Sequence, residues 1–596
     1  MKFLLTALNS KYIHSNPAIY SLRAWCVQEQ PELEVHIELA EYTINQTKSW
    51  ILSDIYRRKP DMIGFSCYIW NWDMIRGIAC ELSKVMPELP IWLGGPEVSY
   101  DPENILDEMP FLTGIMVGEG EETFRELMNF YSGNIVDAEH DRTAGRIVST
   151  LESIPGIVFR NTESDIYRTA PRGLTNISEL PFFYNEKDIA DFKDRIIYYE
   201  SSRGCPYQCS YCLSSIDKTV RFRNPELVKQ ELQFFLDRRV PQVKFVDRTF
   251  NCSHEHALEI WRFISEHDNG VTNFHFEIAA DILNEEELEL LGTLRPGLVQ
   301  LEIGVQSTNS ETIREIRRVM DWNHLKDVVS RLQERSNIHV HLDLIAGLPY
   351  ENLESFRNSF NDVYSCRPEQ LQLGFLKVLK GSHMCEKARD YGIVYTDHPP
   401  YEVLFSNWVS YADVLLLKRV EEMVEMFYNS AQFVHTLPLL EACFDTPFAL
   451  YEALADYMEE QGLMIQSPSR LHRYQVLLDF AVLTDPEREQ WYRELLTLDL
   501  YLRENMKNRP EFAPHFPEDE KFRKKLVRFY QREQETPEIL KEYVRDGYGS
   551  RQMARMTHVE YFSLPVWNGQ TGYVLFDYRR RNPLNKEAFT TQLNFD

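Results

Sequence analysis

Three closely spaced cysteines have the type and spacing to hold a metal cluster. Cys205, Cys209 and Cys212 form the pattern C-x3-C-x2-C directly after the apolar run Arg195–Glu200, which predicts a loop at the end of a β-strand. Three thiolates can hold three corners of a cubane iron–sulfur cluster and leave the fourth iron open to chelate a small molecule. A zinc knuckle is the alternative, although structural zinc sites are usually closed by a fourth Cys or His. No Cys or His lies between Cys212 and Cys252, so local closure is missing.

Six short β-rich runs alternate with helix-length segments from this loop to residue 376. They are Ile196–Tyr199, Gln242–Val246, Phe274–Ala279, Leu298–Val305, His339–Ile345 and Gln370–Leu376. Such alternation predicts repeated βα units and a parallel sheet. A parallel barrel places its chemistry at the carboxyl ends of its strands. The cysteine loop and the Gly-Val-Gln-Ser turn at residues 304–307 both fall at such ends.

The cysteine spacing, an aromatic residue just before the third cysteine, and this order of strands resemble the radical S-adenosylmethionine (SAM) superfamily. The resemblance implies that the open iron binds the amino and carboxylate groups of SAM. Reduction then cleaves SAM to methionine and a 5′-deoxyadenosyl radical, which abstracts hydrogen from an unactivated substrate. The SAM-binding residues that it implies are Tyr211, Asp247, Glu277, Gln306, Ser307 and Arg318. Two ordinary alternatives stay open: Glu277 as a core acid paired with a barrel lysine or arginine, and Arg318 as a helix-surface charge beside Arg317.

Four apolar runs precede the cysteine loop and end in small or turn-forming residues. They are Lys2–Leu8, Asp61–Ser66, Ile91–Glu97 and Gly114–Val117. Strand ends of this kind are where an open α/β sheet binds ligands, and glycines there let a bulky group approach the backbone. Each turn alone is weak support, because loops of any doubly wound domain look similar.

Together these turns resemble the cobalamin-binding domain that precedes the radical barrel in one large subclass of radical SAM enzymes. The cobalamin-binding residues that this resemblance implies are Ser66, Gly94, Gly95, Pro96, Glu97, Gly118, Glu119 and Gly120. Domains that ligate cobalt through histidine use Asp-x-His-x-x-Gly after the first strand. Around His14 this chain has Tyr12 and Pro17 in place of the Asp and Gly. We therefore expect cobalamin with its own base displaced and no histidine on cobalt, with His14 as an axial ligand the alternative.

Composition restricts the partners and the compartment. The chain of 596 residues has 64 basic and 91 acidic residues and a net charge of −27. This surplus argues against a nucleic-acid substrate, although a local basic pocket for tRNA stays open. The N-terminal apolar run is too short for a secretory signal, and no window is long enough to span a membrane. Ten cysteines without pairing spacing favour a reducing cytoplasm.

The predicted fold class is α/β, in four segments. Residues 1–150 form a Rossmann-like cobalamin-binding domain, and 151–194 a linker with a hairpin around Asn161. Residues 195–390 form a partial (β/α)6 radical SAM barrel of the TIM type. Residues 391–596 form a mostly helical C-terminal domain that is expected to select the substrate. Because radicals react quickly, we expect both cofactors to face one shielded cavity.

Three functions are consistent with the sequence. The first is a cobalamin-dependent radical SAM methyltransferase, which uses methylcobalamin and the 5′-deoxyadenosyl radical to methylate an unactivated carbon or phosphorus centre. The second is a radical rearrangement, cyclisation or oxidation with the same cofactors. The third is a non-catalytic cobalamin or redox sensor, against which the complete cysteine motif argues. The implied cofactors are a 4Fe–4S cluster, SAM and cobalamin. The implied partners are a small-molecule or peptide substrate and an electron donor such as flavodoxin or ferredoxin.

Overall fold

The structure is a computed structural model, and it describes residues 1–132, 150–161, 163–186, 189, 192, 195–466, 468–515 and 520–595. The chain divides into two compact units. The first consists of Met1–Arg335, Ile345–Asn352 and Gly374–Tyr411, and the second of Ser336–Leu344, Leu353–Leu373 and Ala412–Asp596. Within the described ranges no helix is both long and apolar enough to cross a membrane. Because the last segment of the first unit ends at Tyr411, this unit extends past residue 390, where the barrel was expected to end.

The first sheet has seven strands in the order β2-β1-β3-β4-β5-β6-β7. They are β1 Phe3–Asn9, β2 Ile37–Thr43, β3 Met62–Ser66, β4 Ile91–Gly94, β5 Gly114–Met116, β6 Ile157–Arg160 and β7 Ile166–Arg168. Strands β1 to β5 are parallel, and β6 and β7 extend the sheet in antiparallel pairing. The hairpin predicted in the linker is thus present and belongs to this sheet. Residues near 131–150 lack periodicity, which predicts a surface loop, and they lie almost wholly outside the described residues.

Helices cover this sheet and bury its strands. Their bounds are Pro17–Glu29, Lys48–Arg58, Trp72–Val85, Pro102–Glu108 and Glu121–Ser132, with short 3-10 turns at Pro31–His36 and Leu151–Ser153. Every residue of β1 is buried, as expected for a parallel strand with both faces covered. The first helix begins where Asn16 accepts a hydrogen bond from the Ile19 amide and proline follows at the first turn. This start leaves the turn between residues 9 and 16 free to form part of a site.

The second sheet has six strands in the order β15-β14-β13-β12-β11-β8. They are β8 Ile197–Tyr199, β11 Gln242–Phe245, β12 Asn273–Ile278, β13 Val299–Gln306, β14 His339–Ala346 and β15 Gln370–Phe375, and the short strands β9 Ser202–Arg203 and β10 Arg221–Phe222 pair separately. The pairings between β8, β11, β12 and β13 are parallel. The intervening helices are Pro225–Asp237, His254–Glu266, Glu285–Thr293, Ser310–Glu315, Trp322–Gln333, Leu353–Ser365 and His383–Lys387, with 3-10 turns at Leu213–Ser215, Phe250–Cys252 and Ala280–Ile282. All six runs predicted as strands form strands in the predicted order.

The C-terminal region is helical for most of its length and ends in a sheet. Its helices are Tyr411–Met423, Val424–Asn429 (a π-helix), Thr436–Glu441, Pro447–Glu460, Arg470–Thr484, Glu489–Arg503, Glu520–Glu535, Lys541–Arg545 and Ser550–Met556, with a 3-10 turn at Pro486–Arg488. Two short strands, β16 Val394–Tyr395 and β17 Val403–Phe405, precede them. The antiparallel sheet comprises β18 Thr557–Trp567, β19 Gln570–Arg581 and β20 Ala588–Leu593. The apolar run Tyr573–Tyr578 predicts one strand here, so two of the three strands of this sheet escape the sequence pattern.

Candidate functional site

The cysteine loop is anchored on both sides by backbone hydrogen bonds. Cys205 and Cys209 are buried and Cys212 is partly exposed. The Ser210 amide donates to the Ile316 carbonyl at 2.9 Å, and the Ser210 carbonyl accepts from the Met384 amide at 2.8 Å. A loop held this way presents three thiols with little freedom to rearrange. Such a soft donor set suits a 4Fe–4S cluster.

A fourth cysteine lies near this loop. Burial raises the pKa of the Cys252 thiol to about 11, and the negative charge of the Cys205 thiolate adds to the effect. The Cys205 sulfur lies 3.6 Å from the Thr249 hydroxyl oxygen, just before the turn that contains Cys252. Cys252 is far from the cysteine loop in the sequence, and it is the fold that brings the thiols of Cys252 and Cys205 close together.

Arg318 and Gln306 stand beside the cysteine loop with unused polar atoms. Arg318 Nη1 lies 4.0 Å from Cys209 Sγ, and its Nη2 donates to the carbonyl of Gly304. Buried atoms Arg318 Nε and Gln306 Oε1 have no hydrogen-bond partner among the described residues. Gln306 also has a φ of +73°, an uncommon conformation for a residue other than glycine that clusters at functional sites. These orphaned buried atoms and the nearby thiols fit a polar ligand such as SAM on a cluster.

Two other residues implied as SAM contacts have their polar groups engaged within the protein. Ser307 is fully buried, and its hydroxyl donates to Glu351 at 2.6 Å. Asp247 is also fully buried, and its carboxylate accepts from the Ser201 amide and hydroxyl at 2.9 and 2.7 Å and from the Ser202 hydroxyl at 2.5 Å. Burial raises the pKa of Asp247 to about 7. In this structure both side chains therefore stabilise the loops at the strand ends through hydrogen bonds within the protein.

The remaining two implied SAM contacts differ in exposure. Glu277 on β12 lines a large cavity, and its carboxylate lies 4.0 Å from the Lys244 ammonium. The structure thus contains the lysine neighbour that the ordinary alternative for Glu277 requires. Tyr211 packs against the apolar cluster that includes Ile316 and Leu348, and burial raises its pKa.

Each glycine of the pair at the end of β4 leaves room for a different neighbouring residue. Gly94 is buried in the strand, and a Cβ added there would lie 3.1 Å from the terminal methyl of Met116. Gly95 has a φ of +111°, and an added Cβ would lie 2.5 Å from the carbonyl oxygen of Cys67. The Ser66 hydroxyl at the neighbouring strand end accepts from the Asn16 side chain at 3.2 Å. The three implied cobalamin contacts therefore lie on one sheet edge, as parallel strands require.

The other implied cobalamin contacts are partly committed to protein partners. Glu97 is buried and accepts a hydrogen bond from the Tyr401 hydroxyl, while Pro96 and Glu97 both line the cavity. Gly118 has a φ of +86° with open space where a side chain would lie, and Gly120 approaches Leu22. The Glu119 carboxylate is held by arginines of the second domain. A cofactor here would meet mainly the backbone of this glycine-rich turn.

One cavity of about 930 Å³ is lined by both sets of strand ends. In the first domain the cavity is lined by the turn after β1, the residues after β3 and the turn after β5. In the second domain it is lined by part of the cysteine loop and by strand ends. Representative lining residues are Asn9, Asn16, Trp70, Glu119, Cys212 and Glu277. A cavity lined by both domains is thus present, and the implied cofactor contacts that line it are Pro96, Glu97, Glu119, Cys212 and Glu277.

His14 lies in this cavity and is already bonded. Its Nδ1 is 2.5 Å from the Tyr198 hydroxyl, so the ring is oriented by the second domain. Burial lowers the pKa of His14, with the charges of Lys11 and Lys244 adding to the effect, which favours a neutral imidazole.

Several lining residues were missed by sequence reasoning. Tyr68 and Trp70 follow β3 and stack at a ring-centroid distance of 4.3 Å with an interplanar angle of 11°. The aromatic pair directly after Ser66 could have indicated them, because residues at a strand end face the ligand edge of the sheet. Arg203 and Glu200 also line the cavity. Nothing in their spacing distinguishes them from ordinary surface charges.

Three family models match successive parts of the chain. A "B12 binding domain" model matches residues 5–128, and a "Radical SAM superfamily" model matches residues 199–363. A "Protein of unknown function (DUF4080)" model matches residues 389–576. The first two confirm the predicted cofactor classes: cobalamin for the first domain, and SAM with a 4Fe–4S cluster for the second.

Curated relatives match about half of the chain. The chain is 27% identical over 357 residues to the cobalamin-dependent radical SAM methyltransferase TokK of Streptomyces tokunonensis, covering 56% of this chain and 50% of TokK. It is 21% identical over 324 residues to the anaerobic magnesium-protoporphyrin IX monomethyl ester cyclase of Rubrivivax gelatinosus, covering 52% of this chain and 55% of the cyclase. The chain thus spans about half the length of these curated relatives.

A solved structure supports the fold over a longer stretch. The cobalamin-dependent SAM radical enzyme OxsB, with aqua-cobalamin and SAM bound, matches with a TM-score of 0.55 at 15% identity, covering 83% of this chain and 79% of OxsB. At this identity the likeness concerns the fold alone. The chain therefore contains a B12-binding domain followed by a radical SAM domain, which are the two cofactor domains predicted from its sequence and in the predicted order.

Proposed function

We propose that the protein is a methyltransferase that methylates an unactivated carbon or phosphorus centre. The observation that supports this most is the single cavity of about 930 Å³ lined by both cofactor domains. When bound, SAM on the cluster supplies a hydrogen-abstracting radical, and cobalamin supplies the methyl group. A substrate radical reacts before it can diffuse away, so donor, acceptor and radical source must share one enclosed space.

The roles proposed for the protein's own residues follow from their positions. Cys205, Cys209 and Cys212 hold the cluster. Arg318 and Gln306 contribute the unpaired buried atoms that would bind the polar groups of SAM. A guanidinium suits the SAM carboxylate because its donors match a planar anion. The stacked pair of Tyr68 and Trp70 excludes water from the first-domain side of the cavity.

Ser66, the glycine pair and the backbone of Gly118–Gly120 are proposed to receive cobalamin. The close backbone contact of Gly95 with Cys67 keeps this edge of the sheet thin. His14 is proposed to remain on Tyr198 and off cobalt, as its 2.5 Å contact suggests. Its neutral ring then serves to orient the Tyr198 hydroxyl toward the cavity.

A radical SAM enzyme needs a substrate and a one-electron reductant. For this chain we propose a small-molecule or peptide substrate and a flavodoxin or ferredoxin as donor. We further propose a reducing cytoplasm, because all ten cysteines are free thiols in the structure. The net charge of −27 still argues against a nucleic-acid substrate.

A second candidate function keeps both cofactors but transfers no methyl group. It is favoured by the likeness to the magnesium-protoporphyrin cyclase, which is 21% identical over 324 residues. Both functions predict reductive cleavage of SAM, whereas a non-catalytic sensor predicts none. Product mass separates the two enzymatic functions, because only methylation adds carbon to the substrate.

The test uses the anaerobically reconstituted full chain with cobalamin, a chemical reductant and SAM that has a deuterated methyl group. Extract from the cells of origin supplies the unknown substrate, and mass spectrometry follows the label. We expect 5′-deoxyadenosine together with a deuterated product, and neither from the Cys209→Ala variant. The Cys443→Ala variant, which changes an exposed thiol of the second unit, is the matched control. Cleavage of SAM with an unlabelled new product would favour the second function, and no cleavage would contradict both.

A further inference from the structure

Arg203 connects the two cofactor domains directly. It lies on β9, two residues before Cys205, and its Nη2 is 2.9 Å from Glu121 Oε1 of the first domain. Its Nη1 lies 3.5 Å from Glu119 Oε1. The same guanidinium donates to both oxygens of Glu200, from Nε at 2.9 Å and from Nη2 at 2.8 Å. One side chain at the base of the cysteine loop therefore contacts both acids of the Gly118–Glu121 turn.

A second arginine holds the same turn from the strand opposite. Arg221 lies directly across from Arg203 in the β9–β10 pair, and its Nη2 donates to Glu119 at 2.6 Å. The Thr175 amide donates to the other oxygen of Glu119 at 2.7 Å. Between the two strands, Gly204 has a φ of +100°, and an added Cβ would lie 2.2 Å from the Thr219 carbonyl oxygen. This close approach holds together β9 and β10, here called the arginine hairpin, whose connecting segment contains the three cysteines.

The charges in this cluster are sheltered from water. The side chains of Glu121 and Glu119 are 7% and 16% exposed, and those of Arg203 and Arg221 are 22% and 15% exposed. Burial raises the pKa of Glu119, but the hydrogen bond from Arg221 and the charge of Arg203 outweigh it and lower the pKa to about 2. Removing one member of a sheltered charge pair leaves the other uncompensated, which is costly. The turn therefore cannot move away without drawing the arginine hairpin with it.

We propose that Arg203 is a positioning residue that couples the Gly118–Glu121 turn to the cysteine loop, so that binding of cobalamin changes the affinity for SAM. A cofactor that orders the turn then also orders the hairpin through Glu121 and Glu119. The hairpin leads directly into Cys205, so the coupling reaches the loop that receives SAM. The proposal rests on the proposed cofactor sites and not on methyl transfer.

The test measures SAM affinity of the full chain with its cluster, with and without hydroxocobalamin. The cluster is kept oxidised so that SAM is not cleaved, and equilibrium dialysis with labelled SAM measures the bound fraction. For the wild type we expect cobalamin to change the SAM dissociation constant about fivefold or more, and SAM to change the cobalamin constant by the same factor, as linkage requires. In Glu121→Gln and in Arg203→Lys both factors should fall to near one. Lysine keeps the charge but cannot reach two carboxylates with a planar fork.

The matched control is Glu122→Gln, one residue along the same helix. The Glu122 carboxylate pairs with Arg125 and accepts a hydrogen bond from Trp25. The Glu122→Gln variant should therefore keep the wild-type coupling factor between cobalamin and SAM. Wild-type protein without any coupling would overturn the proposal, as would variants that keep it. Loss of the cluster or of cobalamin binding in Glu121→Gln would overturn it too, because that residue would then act on folding or on the cofactor itself. A coupled protein that transfers no methyl group would instead contradict only the proposed function.

Discussion

The glycine pair at the end of β4 allows a quantitative test of what this turn is built for. In Gly95→Ala the alanine would have to adopt a φ of +111°, and its Cβ would lie 2.5 Å from the Cys67 carbonyl oxygen. The unusual conformation costs about 1–3 kcal/mol, and the overpacking about 1–3 kcal/mol more. Reduced freedom of the unfolded chain returns about 0.4–1 kcal/mol, which leaves a net loss of about 2–5 kcal/mol.

Gly94→Ala is the matched comparison. Its Cβ would lie 3.1 Å from the terminal methyl of Met116, which is the far end of a flexible side chain and can move aside. The cost should stay at about 1 kcal/mol, at the lower end of the usual range for an overpacked core. The two glycines are adjacent, so the substitutions differ mainly in backbone conformation and in the neighbour that they meet.

The assay is thermal unfolding of the protein without cobalamin, followed by circular dichroism. For a domain of roughly 150 residues, 1 kcal/mol corresponds to about 2–4 °C. We therefore expect Gly95→Ala to lower the apparent unfolding temperature of the first domain by about 4–20 °C and Gly94→Ala by less than about 4 °C. If the glycine pair served only the cofactor, both variants would unfold like the wild type and differ only in cobalamin binding. That result, or a larger loss in Gly94→Ala, would refute the backbone explanation.

Three further predictions concern the cluster, the cobalt ligand and a buried acid. Alanine at Cys205, Cys209 or Cys212 should abolish the 4Fe–4S cluster in iron and sulfide analysis, whereas Cys252→Ala should keep it; an intact cubane in all three variants would contradict the assignment. The paramagnetic resonance spectrum of the cob(II) form should lack nitrogen splitting from His14, and splitting that disappears in His14→Ala would show the opposite. Burial raises the pKa of Asp247 from 3.8 to about 7, so the folded state holds this proton more tightly than the unfolded state. Stability that is present below pH ~3.8 is then lost as the pH rises to about 7, and unfolding temperatures of Asp247→Asn should lack this part of the decline; equal slopes in both proteins would exclude it.

The strands that sequence patterns predict are either apolar runs, as in β1, or alternate apolar and polar residues, as in β13, and β2 follows neither pattern. Strand β2 was missed because Glu38 and Glu41 interrupt its apolar residues. Those acids are accommodated only by distant partners: Arg58 pairs with Glu38, and the Asn9 side chain donates to Glu41 at 2.6 Å. Local spacing contains no information about such partners.

The C-terminal sheet was missed for a different reason. Strand β18 contains Pro565, and proline inside an apolar run argues against a strand because it cannot donate to the ladder. The structure accommodates it through a shift in register between Phe562 and Trp567. The candidate site shows the same difference between local and long-range information. The cysteine motif can be recognised from local spacing, whereas the pairing of Glu119 with Arg221 depends on the topology of the fold.

The order of strands along the chain has a consequence for synthesis on the ribosome. All seven strands of the first sheet are encoded before residue 169, and none comes from later in the chain. The second unit instead assembles Ser336–Leu344 and Leu353–Leu373 with a segment that begins at Ala412. At roughly 5–20 residues per second, about 240 residues must still be made after β7 before that segment emerges, a delay of about 12–50 seconds. The first sheet therefore has all of its strands before the first strand of the second sheet, β8, is translated, whereas the second unit is complete only after the segment from Ala412 has been made.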